Sequence, residues 1–311
     1  MATTTTAIAR VGAQDTLVRP ARSLWSNAWW KIRHDKLTIA AFVVLVLLAL
    51  LSAGADWLAA NFFQYTFEKQ DLLHTYVKPT FDTPAYLLGT DEIGRSQVVR
   101  LLYAGRVSLA VGFVGAALSF SIGVVLGLAA GYFRGWVDDI FTWFVQTIQS
   151  IPTIFLLLII ASIWGPSPQM LVLILGFLFW IGISLYCRGQ TFSLREREFI
   201  IAAKTIGSRD RRIMFRHILP NVLPLLFVLA AIDIGAIILA ESALSFLGLG
   251  IQPPTPSWGN MLTGAVGNLV RGPFLVYPPG AMIFLTVLCL YLIGDGLRDA
   301  LDPRVRGHGG L

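Results

Sequence analysis

An all-α membrane protein with six spanning helices is the fold class this sequence predicts, and three observations predict it. Of 311 residues, 55% are hydrophobic and only 14% charged, a balance outside that of soluble domains. Six windows approach the roughly 20 apolar residues needed to cross a bilayer: 37–58, 107–132, 140–164, 170–186, 222–247 and 281–297. Lys and Arg cluster beside these windows and form no stripe on a soluble domain, so the net charge of +6 points to anionic headgroups and not to nucleic acid.

Taken in order, residues 1–36 form a cytoplasmic segment. They lack a secretory signal's short apolar core and small-residue cleavage site, so the segment is expected to be retained. Leu24, Trp25, Ala28, Trp29 and Ile32 fall at helical spacing, with Lys31, Arg33 and Lys36 elsewhere on the wheel. This predicts a helix lying in the inner headgroup layer, either as an anchoring belt or with a regulatory role. The six-span domain then runs over 37–298, and 299–311 is a cytoplasmic tail.

The first, second and fifth windows read plainly as spans. Along the second, Gly123, Gly127 and Gly131 recur every four residues and would allow close helix crossing or line a pore. The fourth window is short and the third carries Gln146, Gln149 and Pro152, which assigns both to the bundle interior, where neighbours satisfy the backbone that Pro152 frees. Placing the N-terminus inside puts 18 of the 24 Lys and Arg on the cytoplasmic side and 6 outside. By the positive-inside rule both termini are cytoplasmic.

Two outer segments follow from that orientation, 59–106 and 248–280. In the first, Asp91 and Arg95 stand four apart at the start of an expected helix and could pair. The segment either meets a substrate-delivery protein or caps the bundle. In the second, Pro253, Pro254, Pro256, Pro273, Pro278 and Pro279 fix the path of the chain. Ser257 is expected to cap a short helix reaching about Val270, with Trp258 at interfacial depth, and Trp258 and Asn260 are candidates for an outer gate or receptor seat.

Within the windows the ionisable residues are Asp233, Glu241 and Asp295. They serve either hydrogen bonding between helices or around a cavity, or a proton or ion relay. Glu241 and Asp295 lie near helix ends, where water or Arg298 would compensate them. No phosphate-binding GxxxxGK[ST] loop, nucleophile elbow or zinc-protease motif occurs, and the four histidines and two cysteines have no ligand spacing. Catalysis, a resident metal and ATP hydrolysis are therefore not expected of this chain.

The cytoplasmic loop 188–220 contains EREFIIAAKTIGSRDRRIMFRHILPN. Helix formers from Arg195 to Ile206, Glu198 and Ile201 among them, give way to Gly207 and Ser208, where one helix can stop and another begin. Ala202, Ala203 and Gly207 offer a patch nearly free of side chains, rimmed by Arg209, Arg211, Arg212 and Arg216, with Asp210 between them. Such a knuckle suits docking into a groove of a soluble protein, or is simply a helical hairpin.

This loop resembles the EAA loop of ABC-importer permeases. Ala202, Ala203, Gly207, Ile218, Leu219 and Pro220 match its pattern, and Ile201 stands where that family has glutamate. LGTDEIGRSQVVRLLYAGRVSL, with Ser96 at a usual aspartate, ALSFLGLGIQPPTPSWGNML over 243–262 and GDGLRDALDPR over 294–304 resemble the C-type permease subunit of dipeptide, oligopeptide and nickel importers. The resemblance implies the type I ABC-importer permease fold and a transport role without enzymatic activity. It further implies a related second permease, two cytoplasmic ATPases carrying ATP and Mg, an extracytoplasmic solute-binding protein, and residues 198–210 as the ATPase-coupling site. Two other readings stand beside it. An ion-coupled secondary transporter would need inverted repeats and discontinuous helices, and no convincing repeat is present. A non-transporting membrane scaffold is the other.

Overall fold

The computed structural model describes residues 29–165, 167–263, 267, 269 and 272–301. Leu24, Trp25, Ala28, Val270 and the tail past residue 301, on which some expectations rest, lie outside them. Among the described residues the only bridge between extended segments is Thr90 with Ser96, and everything else regular is helical.

Helix α1 (Lys36–Ala53) starts where Asp35 accepts hydrogen bonds from the Leu37 amide at 3.1 Å and from the Thr38 hydroxyl. It buries only Thr38, Ala41, Leu45 and Ser52, and leaves residues such as Phe42, Leu47 and Leu50 exposed, as suits a helix with lipid on most sides. Helix α2 (Gln97–Phe133) begins at an N-cap, the Ser96 hydroxyl accepting from the Val99 amide at 3.4 Å. Its 37 residues make it about 55 Å long, well beyond the hydrocarbon thickness. The helix starts ten residues before the hydropathy window because Arg100 and Arg106 hide a helical first segment from an apolarity count.

The third window is not one interior helix. It divides into α3 (Trp136–Gln149) and α4 (Thr153–Trp164), bent by 83°. Pro152 causes the break: it has no amide hydrogen and drives the residue before it out of helical conformation, so it sits as the N-cap of α4. Gln146 and Gln149 are exposed and not interior. The fourth window lengthens into α5 (Pro168–Arg195), its hydropathy cut short by the polar last two turns, with Ser167 capping the Met170 amide at 3.2 Å.

Helix α6 (Glu198–Thr205) follows, then α7 (Asp210–Phe246), which includes a π-helical turn at Ile213–Ile218 and an internal Pro224, and then α8 (Tyr277–Leu301). Among the described residues five helices are long and apolar enough to cross a membrane, six if α3 and α4 count as one broken span.

Helices α2 and α5 form the central seam. A Cβ on Gly123 would lie 2.8 Å from the Trp180 carbonyl oxygen, one on Gly131 2.7 Å from that of Arg188, and one on Gly127 would overlap that of Ser184. The glycine stripe is thus a packing surface, with one backbone pressed on another for over two turns. Around the seam, Leu128, Ile183, Ile200, Ile213, Ile218 and Leu226 form one buried cluster that ties α6 and α7 to it.

Candidate functional site

Two polar regions stand at opposite ends of the bundle. At one end, α6 projects from the seam. Its Ile200 and Ala203 face inward, at 0% and 7% exposure, into the cluster with Ile213 and Met214. Ala203 is therefore not part of an external patch, because the helical period that buries Ile200 carries Ala203 inward with it. Helix α6 ends where the amides of Ile206, Gly207 and Ser208 bond to the carbonyls of Ala202, Lys204 and Ala203 at 3.1, 2.9 and 3.0 Å. Gly207 supplies the φ of +80° that this reversal requires. The outer surface of the knuckle carries Ala202, Gly207, Ile201 at 53% exposure and Ile206 at 83%. It is apolar but not bare, since two isoleucines protrude from it.

Apart from Asp210, the groups that fasten the knuckle to the bundle are ones the sequence did not single out. The Tyr132 hydroxyl, at the end of α2, donates to Asp210 Oδ1 at 2.5 Å. Lys204 Nζ and the Arg195 guanidinium lie 5.0 and 5.7 Å from the centre of the same ring. Arg134 pairs with Glu196 at 2.6 Å, and Arg188 holds both oxygens of Asp138 in a fork that joins α5 to α3. A tyrosine in the last helical turn beside the basic loop was the available signal. Glu198 opens α6, and Ser208 and Arg209 lead directly into α7.

At the opposite end, Asp91 lies in a loop and not at a helix start, because helix begins only at Gln97. Its Oδ2 accepts from Arg95 Nε at 2.7 Å and Arg100 Nη1 at 2.5 Å, and its Oδ1 from the Ile93 and Arg95 amides at 3.1 and 2.9 Å. Arg100 was not anticipated. These groups border a cavity of about 190 Å³, with Gln252 and Asn260 across from them. The Asn260 side chain bonds the backbone of Ile251, Thr255 and Ser257 and so closes its own loop. The Ser257 hydroxyl accepts from the Asn260 amide at 3.1 Å, where the short turn Asn260–Leu262 begins. Trp258 is 1% exposed and packs in the core with Leu101, Ile238 and Ile283. Its indole finds an acceptor there in the Leu101 carbonyl at 3.3 Å, which is why so large a polar-tipped ring can be buried.

Beneath that cavity Glu241 is fully buried. Its partners among the described residues are three hydroxyls and no arginine. Ser108 of α2 donates to it at 3.0 Å, Ser245 at 2.7 Å and Ser242 at 3.4 Å. Ser108 and Ser245 in turn accept from the amides of Trp258 and Ile251 at 3.1 and 3.0 Å. One carboxylate thus knots α2, α7 and the segment after α7, the geometry of interhelical hydrogen bonding. Replacing Glu241 by Ala leaves three buried hydroxyls without their acceptor, and a loss of about 3 kcal/mol is expected. Thermal unfolding in detergent measures it, and Glu241→Gln, which keeps a carbonyl oxygen, should lose less. Asp233 has a buried Oδ2 without a hydrogen-bond partner among the described residues. Asp295 and Arg298 border a cavity of about 410 Å³ between α5, α7 and α8, together with Tyr186 and Tyr291.

A bundle of long apolar helices interlocked at a glycine seam, with one span broken and a small helix riding on its end, defines a multi-span helical membrane protein. Residues 123–307 match the family described as binding-protein-dependent transport system inner membrane component, and residues 23–79 match the N-terminal transmembrane domain of oligopeptide transport permease C. The chain belongs to this family of ABC-importer inner-membrane permeases. It is 37% identical to the oligopeptide transport system permease protein OppC of Haemophilus influenzae, over 92% of this chain and 90% of that one. It is 36% identical to the dipeptide transport system permease protein DppC of Alkalihalophilus pseudofirmus, over 92% of each. With the glutathione transport system permease protein GsiD of Pectobacterium atrosepticum it shares 35% over 93% of this chain and 94% of the relative. A solved inward-facing structure of the MetNI methionine ABC transporter superposes with a TM-score of 0.51 at 18% identity, covering 65% of this chain and 96% of that one. That likeness shows the type I importer permease fold.

Proposed function

We propose that this chain is one of two related permease subunits of an ATP-driven importer for di- or oligopeptides. Its α6 knuckle docks a cytoplasmic ATPase that holds the ATP and Mg, and an extracytoplasmic binding protein delivers the solute. The basic α6 end is then the cytoplasmic end, with both termini on that side. The carrying observation is mechanical: an exposed apolar knuckle is joined through Tyr132, Asp210, Arg134 and Glu196 to the seam of α2 and α5. A push on Ile206 cannot be absorbed in a loose loop. It reaches α2, whose backbone is pressed on α5, so that closure of the ATPase pair rocks the bundle between inward-facing and outward-facing states. The bias between those states equals only the difference in ATP-binding energy that the knuckle transmits.

Peptide as the solute class is supported by the names of the relatives. The test is uptake by the reconstituted complex supplied with dipeptides, longer peptides and nickel chelates. ATP-dependent accumulation of a peptide is expected. The broken span α3–α4 also fits an ion-coupled transporter. Uptake that survives ATP depletion and collapses with an ion gradient would favour that reading, and a membrane scaffold would show neither.

A further inference from the structure

Helix α3 has three faces. Phe141 and Val145 are buried against Trp180 and Ile181 of α5. Ile140 and Phe144 are exposed at 58% and 41% on a flank suited to lipid. The third face carries Asp139, Thr142, Gln146, Gln149 and Ser150, which at 3.6 residues per turn fall within an arc of about 100°. Four of the five are exposed and Thr142 is half-buried.

The depth of this face follows from its neighbours. Asp138 pairs with Arg188 near the inner end of α5, whereas the Phe141 and Phe144 rings lie 6.2 and 6.1 Å from that of Trp180, at the middle of α5. Helix α3 therefore climbs antiparallel along α5 and breaks, after Gln149, at about mid-membrane. Hydrocarbon cannot solvate two carboxamides and a broken helix end at that depth. Among the described residues nothing else covers Gln146, Gln149 or Ser150. Irregular backbone at mid-membrane is tolerated where it lines water.

We infer that the polar face of α3, from Asp139 to the break at Ser150, is a wall of the water-filled translocation pathway and a contact surface for amide-bearing solutes. This rests on the reading of the chain as half of an importer's pathway and names its wall. Gln146 and Gln149 each offer both a donor and an acceptor, which matches a peptide group, itself one donor and one acceptor. Asp139, near the inner mouth, supplies a negative charge for an ammonium group on the way out.

The test uses the whole complex in open membrane fragments, with single cysteines in place of Thr142, Gln146 and Gln149 and, as controls, Ile140 and Phe144. The native Cys187 and Cys289 are buried and set the background. A membrane-impermeant methanethiosulfonate reagent is expected to label the three stripe positions roughly tenfold faster than the controls, because thiolate forms only in water. A saturating transported peptide should slow labelling at Gln146→Cys and Gln149→Cys. Labelling as slow at the stripe as at Ile140→Cys and Phe144→Cys, showing a dry partner surface or lipid, would overturn the inference. If ATP-driven uptake persists in that case, the importer reading stands and the pathway wall lies elsewhere. If uptake never depends on ATP, the importer reading fails whatever the labelling pattern.

Discussion

Gly127→Val is expected to leave little folded protein in the membrane. A Cβ at Gly127 would meet the Ser184 carbonyl oxygen, with the Cys187 Cβ and the Ser184 carbonyl carbon at 2.9 and 3.0 Å. Overpacking a core by a few carbons costs about 1–3 kcal/mol when side chains can shift. Here the obstacle is backbone, so α2 and α5 must separate along their whole seam and the cost belongs at or above the top of that range. Gly182→Ala provides the control on α5, because nothing lies within 4 Å of a Cβ there. Abundance in the membrane and the thermal unfolding midpoint in detergent should fall sharply for the first variant and stay unchanged for the second.

The second large effect is expected at the knuckle. Ile206→Asp should insert and fold normally, since Ile206 is 83% exposed and supports no buried cluster. Transport should nevertheless fall by roughly thirtyfold, the equivalent of about 2 kcal/mol for losing an apolar anchor at the centre of a docking surface. Stimulation of ATPase activity by the loaded binding protein should fall with it. Gly207→Val is a weaker version of this test. At a φ of +80° a valine strains the turn itself, so lost uptake would not separate docking from local misfolding. Normal uptake by Ile206→Asp would mean that the exposed isoleucine touches nothing of consequence.

Hydropathy located the spans, because the cost of leaving polar backbone in lipid forces helix over every window. It misjudged their ends. Helix α2 begins ten residues early and α5 runs on to Arg195, since an apolarity count stops at the first arginine whether or not the helix does. Glycine spacing in α2 was legible because close crossing admits few residue types. The direction each side chain faces was not. Ala203 turned inward and Trp258 became core, and both outcomes depend on which neighbour lies across the helix. Glu241 shows the limit most clearly. Its three serine partners come from α2 and from two turns of α7, and two of those serines also hold amides of a segment reached only after the chain reverses. No local pattern encodes that meeting. The Asp91 cluster lies between, because the pairing with Arg95 follows from spacing whereas Arg100 joins only through the turn that Gly94 allows.

The claim on which the account depends is that the α6 knuckle grips an ATPase and passes its motion to the seam of α2 and α5. The most direct measurement places a cysteine at Ala202, which is exposed on α6 beside Ile206, and follows its crosslinking with a short bifunctional reagent in the assembled transporter through the nucleotide cycle. The account predicts an adduct between this chain and the ATPase subunit with and without ATP, at a position beside the nucleotide-driven interface. A thiol that stays open to solvent and forms no adduct in any nucleotide state, in a complex that still transports, would contradict it.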